Sequence, residues 1–101
     1  MLTSHRLLQQ YWHDDRYDIR QVRVWYTDRG APGDRSMASG PDISLEPYYL
    51  NIRTGYDVKP VPYHRILLIT YNGDVVFENL KIHELAGIIA AEGRDDDRAG
   101  L

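Results

Sequence analysis

At 101 residues and without a single cysteine, the chain is sized for one domain around one core, and disulfides and thiolate metal centres are excluded. A hydrophobic content of 43% against 27% charged residues excludes wholesale disorder, and no apolar run approaches the ~20 residues of a membrane span. The formal net charge of −3 excludes the broad basic surface of a protein that coats nucleic acid.

Within that limit the charges are uneven. Residues 92–98 hold Glu92, Asp95, Asp96 and Asp97, and outside them acids and bases nearly balance. The basic residues are arginines apart from Lys59 and Lys81, and the planar guanidinium fork suits bidentate contact to phosphate. The composition therefore permits a local phosphate site. The lack of cysteine and of a signal peptide or membrane segment makes a cytoplasmic protein the expectation.

In chain order, Thr3 or Ser4 can cap a first helix with Leu7, Leu8, Tyr11 and Trp12 on one face. Residues 13–18 read as a polar loop. Val22, Val24 and Tyr26 then alternate with Arg23, Trp25 and Thr27, which predicts a strand from about Gln21 to Thr27. It ends in a charged loop, Asp28-Arg29-Gly30-Ala31-Pro32-Gly33-Asp34-Arg35. Residues 36–47 read as an irregular connection with a turn near Asp42. Tyr48 to Arg53 alternates as a second strand, and Pro60 and Pro62 are expected to delay entry into the next one. Two apolar runs flank Asn72-Gly73, a type I′ hairpin signal, and the first, Ile66–Tyr71, is apolar on both faces as a central strand would be. Asn79 can cap a second helix with Ile82, Leu85, Ala86 and Ile89 as its stripe and Gly93 as its stop. The expectation is a small α+β domain over residues 1–93, a short, mostly antiparallel sheet packed with an N-terminal and a C-terminal helix. Residues 94–101 would form a flexible acidic tail.

Two stretches concentrate chemistry. The loop after Tyr26 reads equally as a polar turn with an internal Asp–Arg pair or as a nest of backbone N–H groups beside Arg29 and Arg35 that could hold an oxyanion. The second stretch is Pro62-Tyr63-His64-Arg65-Ile66. His64 can donate to phosphate or serve as acid or base, and Arg65 adds a fixed charge, yet neighbours on a regular strand point to opposite faces. Either Pro62 makes the strand's start irregular, or one of the two residues is structural. Trp25, Tyr26, Tyr48, Tyr49, Tyr56 and Tyr63 could stack on bases, although strand tyrosines more commonly edge a core. His5, His13 and His83 read as surface residues. No two histidines are two to four residues apart and no nucleotide-loop motif occurs, so neither a metal nor a cofactor is expected.

Tyr17-Asp18, Val24 to Asp34, Val61 to Ile66 and Tyr71 to Glu78 together resemble an archaeal family, at first uncharacterised, that is described as the RNA cyclic-group-end recognition domain. The resemblance spans roughly residues 5–80. It implies binding of RNA ends that carry a 2′,3′-cyclic phosphate, and RNA-processing proteins as companions, since related domains are fused to such modules. It places the family's polar positions on Tyr26, Asp28, Arg29 and Gly30 and on His64 and Arg65. In that reading Arg29 and Arg65 neutralise the phosphate, His64 donates to it, amides near Gly30 complete the nest, and Tyr26 or Tyr63 stacks on the terminal base. Asp28 orients one of the arginines.

Two other readings use the same residues. A metal-independent phosphoesterase or ribonuclease would employ His64 as acid or base with Asp28 as its orienter, and would need a second titrating group. A protein-interaction domain with no ligand of its own would tie Arg29, His64 and Arg65 into internal salt bridges.

Overall fold

A computed structural model describes residues 3–79 of the chain. Helix α1, Ser4–His13, starts at Thr3, whose side chain accepts from the Arg6 N–H and so supplies an N-cap. Leu7, Leu8 and Tyr11 form its buried stripe. Seven strands follow: β1 Val22–Thr27, β2 Arg35–Ser39, β3 Ile43–Leu45, β4 Tyr49–Thr54, β5 Asp57–Pro62, β6 Ile66–Tyr71 and β7 Asp74–Glu78. They form two antiparallel sheets, ordered β2-β1-β6-β7 and β3-β4-β5.

One core joins the two sheets and the helix. Val22, Val24, Tyr26, Ile66 and Ile69 enter it from the first sheet, Ile43, Leu50, Ile52 and Val61 from the second, and Leu7, Leu8 and Tyr11 from α1. Burial of aliphatic side chains this complete contributes about 1.5–3 kcal/mol each before chain entropy is set against it. Tyr11 stacks on Tyr71 at 4.8 Å, and Tyr17 meets both rings edge-on, so these tyrosines close one end of the core. The hairpin reading holds: Asn72 and Gly73 both have positive φ between β6 and β7. Strand β6 is central and buried on both faces, since Leu68 and Thr70 are covered on the side away from Ile66 and Ile69.

Two stretches contain more structure than expected. Residues 36–47 hold β2, a 3-10 turn at Gly40–Asp42, and β3. Pro60 and Pro62 lie inside β5 rather than ahead of the next strand. They are tolerated because β5 is an edge strand, and residues 60 and 62 share one parity, which allows their missing N–H groups to face away from β4. The expected second helix, its stripe and the acidic tail lie outside the described residues. The described part is thus a small domain of mostly antiparallel strands with one helix. Among these residues no helix is long and apolar enough to cross a membrane.

Candidate functional site

The two chemistry-bearing stretches lie at the same end of the first sheet. Strands β1 and β6 are antiparallel, and a register shift after Trp25 sets Tyr26 opposite Ile66. The loop leaving β1 therefore begins beside the turn that enters β6. That turn, Tyr63–Arg65, is a 3-10 turn rather than strand, with Pro62 as its N-cap. Strict alternation lapses there, and both His64 and Arg65 are exposed. Arg29, one residue into the loop, is exposed as well. Among the described residues, the side chains of Arg29, His64 and Arg65 form no ion pair or hydrogen bond. The interaction-domain reading required the opposite.

The loop itself is self-contained. Asp28 N–H donates to the Asp34 carbonyl at 2.9 Å, Ala31 N–H to the Asp28 carbonyl at 3.1 Å, and Asp34 N–H to the Ala31 carbonyl at 2.8 Å. Gly30, Gly33 and Asp34 take positive φ to make this path. The Gly30 N–H, expected in the oxyanion nest, already donates to Asp34 Oδ1 at 3.2 Å. A carboxylate of the chain thus takes the donor expected for a ligand. Arg35 is half-buried at the start of β2 and engaged within the protein. With Thr27, Gly33, Asp34 and Leu67 it lines a cavity of about 310 Å³.

Asp28 does not orient an arginine. It accepts from Lys59 Nζ, reaching over from β5, and from Ser36 Oγ at 2.6 Å. The Lys59 ammonium and then the Ser36 hydroxyl hold the Asp28 carboxyl below its ordinary range. Lys59 Nζ also lies 5.8 Å from the centre of the Tyr26 ring, a cation–π contact. Tyr26 is only 2% exposed, and burial pushes its phenol up. Its ring packs in the core and is not open to a stacking base. Local sequence gave Lys59 no motif. Alternation within residues 57–62 was the available signal, because Lys59 shares the inward face of buried Val61.

The folded-state shift at Asp28 sets a pH dependence. Its folded value lies below the unfolded one, about 3.9. Its contribution is therefore complete above the ordinary carboxylate range and is lost as pH falls through the folded value. Asp28→Asn is expected to be less stable than wild type at pH 7, with the gap closing as pH falls below the ordinary carboxylate range. Thermal unfolding from pH 7 to pH 2 checks this; a gap constant across that range would contradict it.

Tyr63 joins the turn to the helix. Its ring stacks on His5 with centroids 4.1 Å apart, and its hydroxyl donates to the Glu46 carbonyl at 2.5 Å. One face of the ring is thus occupied, although the side chain remains half-exposed. With His64, Ser4, Phe77 and Glu78 it borders a cavity of about 460 Å³. Among the described residues no group of three or more His, Cys, Asp or Glu could hold a metal ion.

Comparison with protein families adds the deciding observation. Residues 1–79 match the model of the MJ1316 RNA cyclic group end recognition domain. The chain belongs to that family. The match takes in the whole described fold, including both motif stretches and the Asn72-Gly73 hairpin that orders β6 and β7. No curated protein and no solved structure matches the chain. The family's description supports an RNA-end binding role.

Proposed function

We propose that the domain binds RNA termini bearing a 2′,3′-cyclic phosphate, with Arg29, His64 and Arg65 around the phosphate. The observation that carries this reading is the presence of these three exposed side chains, free of internal partners among the described residues, at the sheet end where β1 leaves and β6 enters. Two guanidinium groups neutralise the anion with directional N–H donors, and the imidazole adds a donor from the same turn. The Asp28–Lys59 pair braces the loop against the second sheet, so Arg29 projects from a fixed base. Gly30 and Arg35 act as loop architecture in this arrangement, and Tyr26 as core.

The arrangement supports grip rather than reaction. Asp28, the carboxylate that would orient His64 in a hydrolytic enzyme, is bonded to Lys59 and Ser36 instead. A small site of this kind binds at about micromolar affinity and neutralises few phosphates. For an oligonucleotide ending in cyclic phosphate, the logarithm of affinity should fall against the logarithm of salt with a slope of about −1 to −2. Anisotropy titrations between 50 and 300 mM salt measure that slope. A value near zero, or one as steep as −5, would remove the single-terminus reading.

A further inference from the structure

A second concave surface lies on the other side of Tyr63. One face of α1 presents His5, Gln9, Trp12 and His13, at helical spacings of four, seven and eight. Opposite it stand Glu46 and Tyr48, from the connection between β3 and β4. Together these walls enclose about 700 Å³, within the range of small-ligand sites. Tyr48 is 85% exposed although a large aromatic side chain, whereas Trp12 is half-buried and packed against the core.

The chemistry of the lining narrows the ligand. Among the described residues it contains no lysine or arginine, and its one carboxylate is Glu46, so it offers phosphate no fixed positive charge. Beside the aliphatic Ile43, Leu45 and Pro47 it offers two aromatic rings, two imidazoles, an amide and the Ser44 hydroxyl. A flat, uncharged heteroaromatic ring with hydrogen-bonding edges fits that set. The groove is also tied to the cationic turn: Tyr63, immediately before His64, stacks on His5 and donates to the Glu46 carbonyl.

We propose that this groove is a nucleobase subsite, taking the base of the terminal nucleotide between Trp12 and Tyr48 while its phosphate is held at Arg29, His64 and Arg65. The division of labour rests on the end-binding reading above, but the groove's affinity for a base does not. Tyr63 then serves as the fixed partition between base and phosphate, and the stacking aromatics are Trp12 and Tyr48, which lie outside the two motif stretches.

Adenosine, which carries no phosphate, separates the two claims. Titrated into the full-length protein and followed by NMR, it should shift the Trp12 indole N–H and the His5 and His13 imidazoles, saturating in the millimolar range. Tyr48→Ala should weaken that binding about tenfold, with the spectrum of the folded protein otherwise retained. Loss of one stacked base–aromatic contact accounts for a change of that size. Absence of Trp12 shifts in wild type, shifts confined to the 63–65 turn, or a Tyr48→Ala variant that binds adenosine as well as wild type would each overturn the subsite. Equal affinity for phosphorylated and unphosphorylated RNA ends would instead count against the phosphate site alone.

Discussion

Gly40→Ala is expected to destabilise the fold by about 3 kcal/mol, at the upper end of ordinary overpacking costs. A Cβ at residue 40 would lie 1.9 Å from the Ile19 carbonyl oxygen and 2.8 Å from its carbon. Those are backbone atoms, so no side-chain rotation relieves the clash. Ile19–Gln21 is itself pinned: Asp18 caps it by accepting from the Arg20 N–H, the Tyr71 hydroxyl accepts from the Asp18 N–H at 3.0 Å, and the Gln21 carbonyl accepts from the Asn72 N–H at 2.9 Å. The Gly40–Asp42 turn would therefore have to move, carrying β2 and β3 with it. Gly40 does not need positive φ; it needs the missing side chain. Urea unfolding of Gly40→Ala against wild type measures the cost, and a loss below about 1 kcal/mol would show that these turns yield more easily than their hydrogen bonds imply.

Arg65→Ala is expected to weaken binding of RNA ending in cyclic phosphate by roughly tenfold to a hundredfold. A hydrogen bond between charged partners contributes about 1.5–3 kcal/mol, which corresponds to that range. Arg65 is exposed and has no partner among the described residues, so its removal should leave thermal stability unchanged within about 0.5 kcal/mol. The same substitution should lower the magnitude of the salt slope by about 0.7, as one cationic contact is lost. Isothermal titration together with thermal unfolding separates the two effects. Unchanged affinity would take Arg65 out of the site, whereas reduced affinity with an unchanged salt slope would deny it a phosphate contact.

What could be read from the sequence was what local chemistry decides. Thr3 caps α1, Asn72-Gly73 turns the last hairpin, and the doubly apolar run at 66–71 is a central strand, because each depends on residues within a few positions of one another. Contacts between distant segments were not legible. The Gly40-Pro41 pair resembles any loop, and only the approach of Ile19 reveals why a glycine is there. Pro60 and Pro62 argue against a strand until β5 is known to be an edge. The site follows the same rule. The exposure of His64 and Arg65 follows from the turn that Pro62 begins, and the sequence raised that irregularity as one option. The partnership of Asp28 with Lys59 spans 31 positions and two sheets, so the arginines and His64 of the motif stretches were the candidates in view. The sequence places Trp12 on one helix face with Leu7, Leu8 and Tyr11, yet the packed side chain also faces a groove whose opposite wall is more than thirty residues further along the chain.

The central claim is that the domain recognises how an RNA chain ends. The most direct measurement compares three oligonucleotides of one sequence, ending in 2′,3′-cyclic phosphate, 3′-phosphate or 3′-hydroxyl, titrated into the same protein at fixed salt. Binding is expected to be tightest to the cyclic phosphate and at least tenfold weaker to the hydroxyl end, with Arg65→Ala erasing most of that difference. Equal affinity for all three ends in wild type would contradict it.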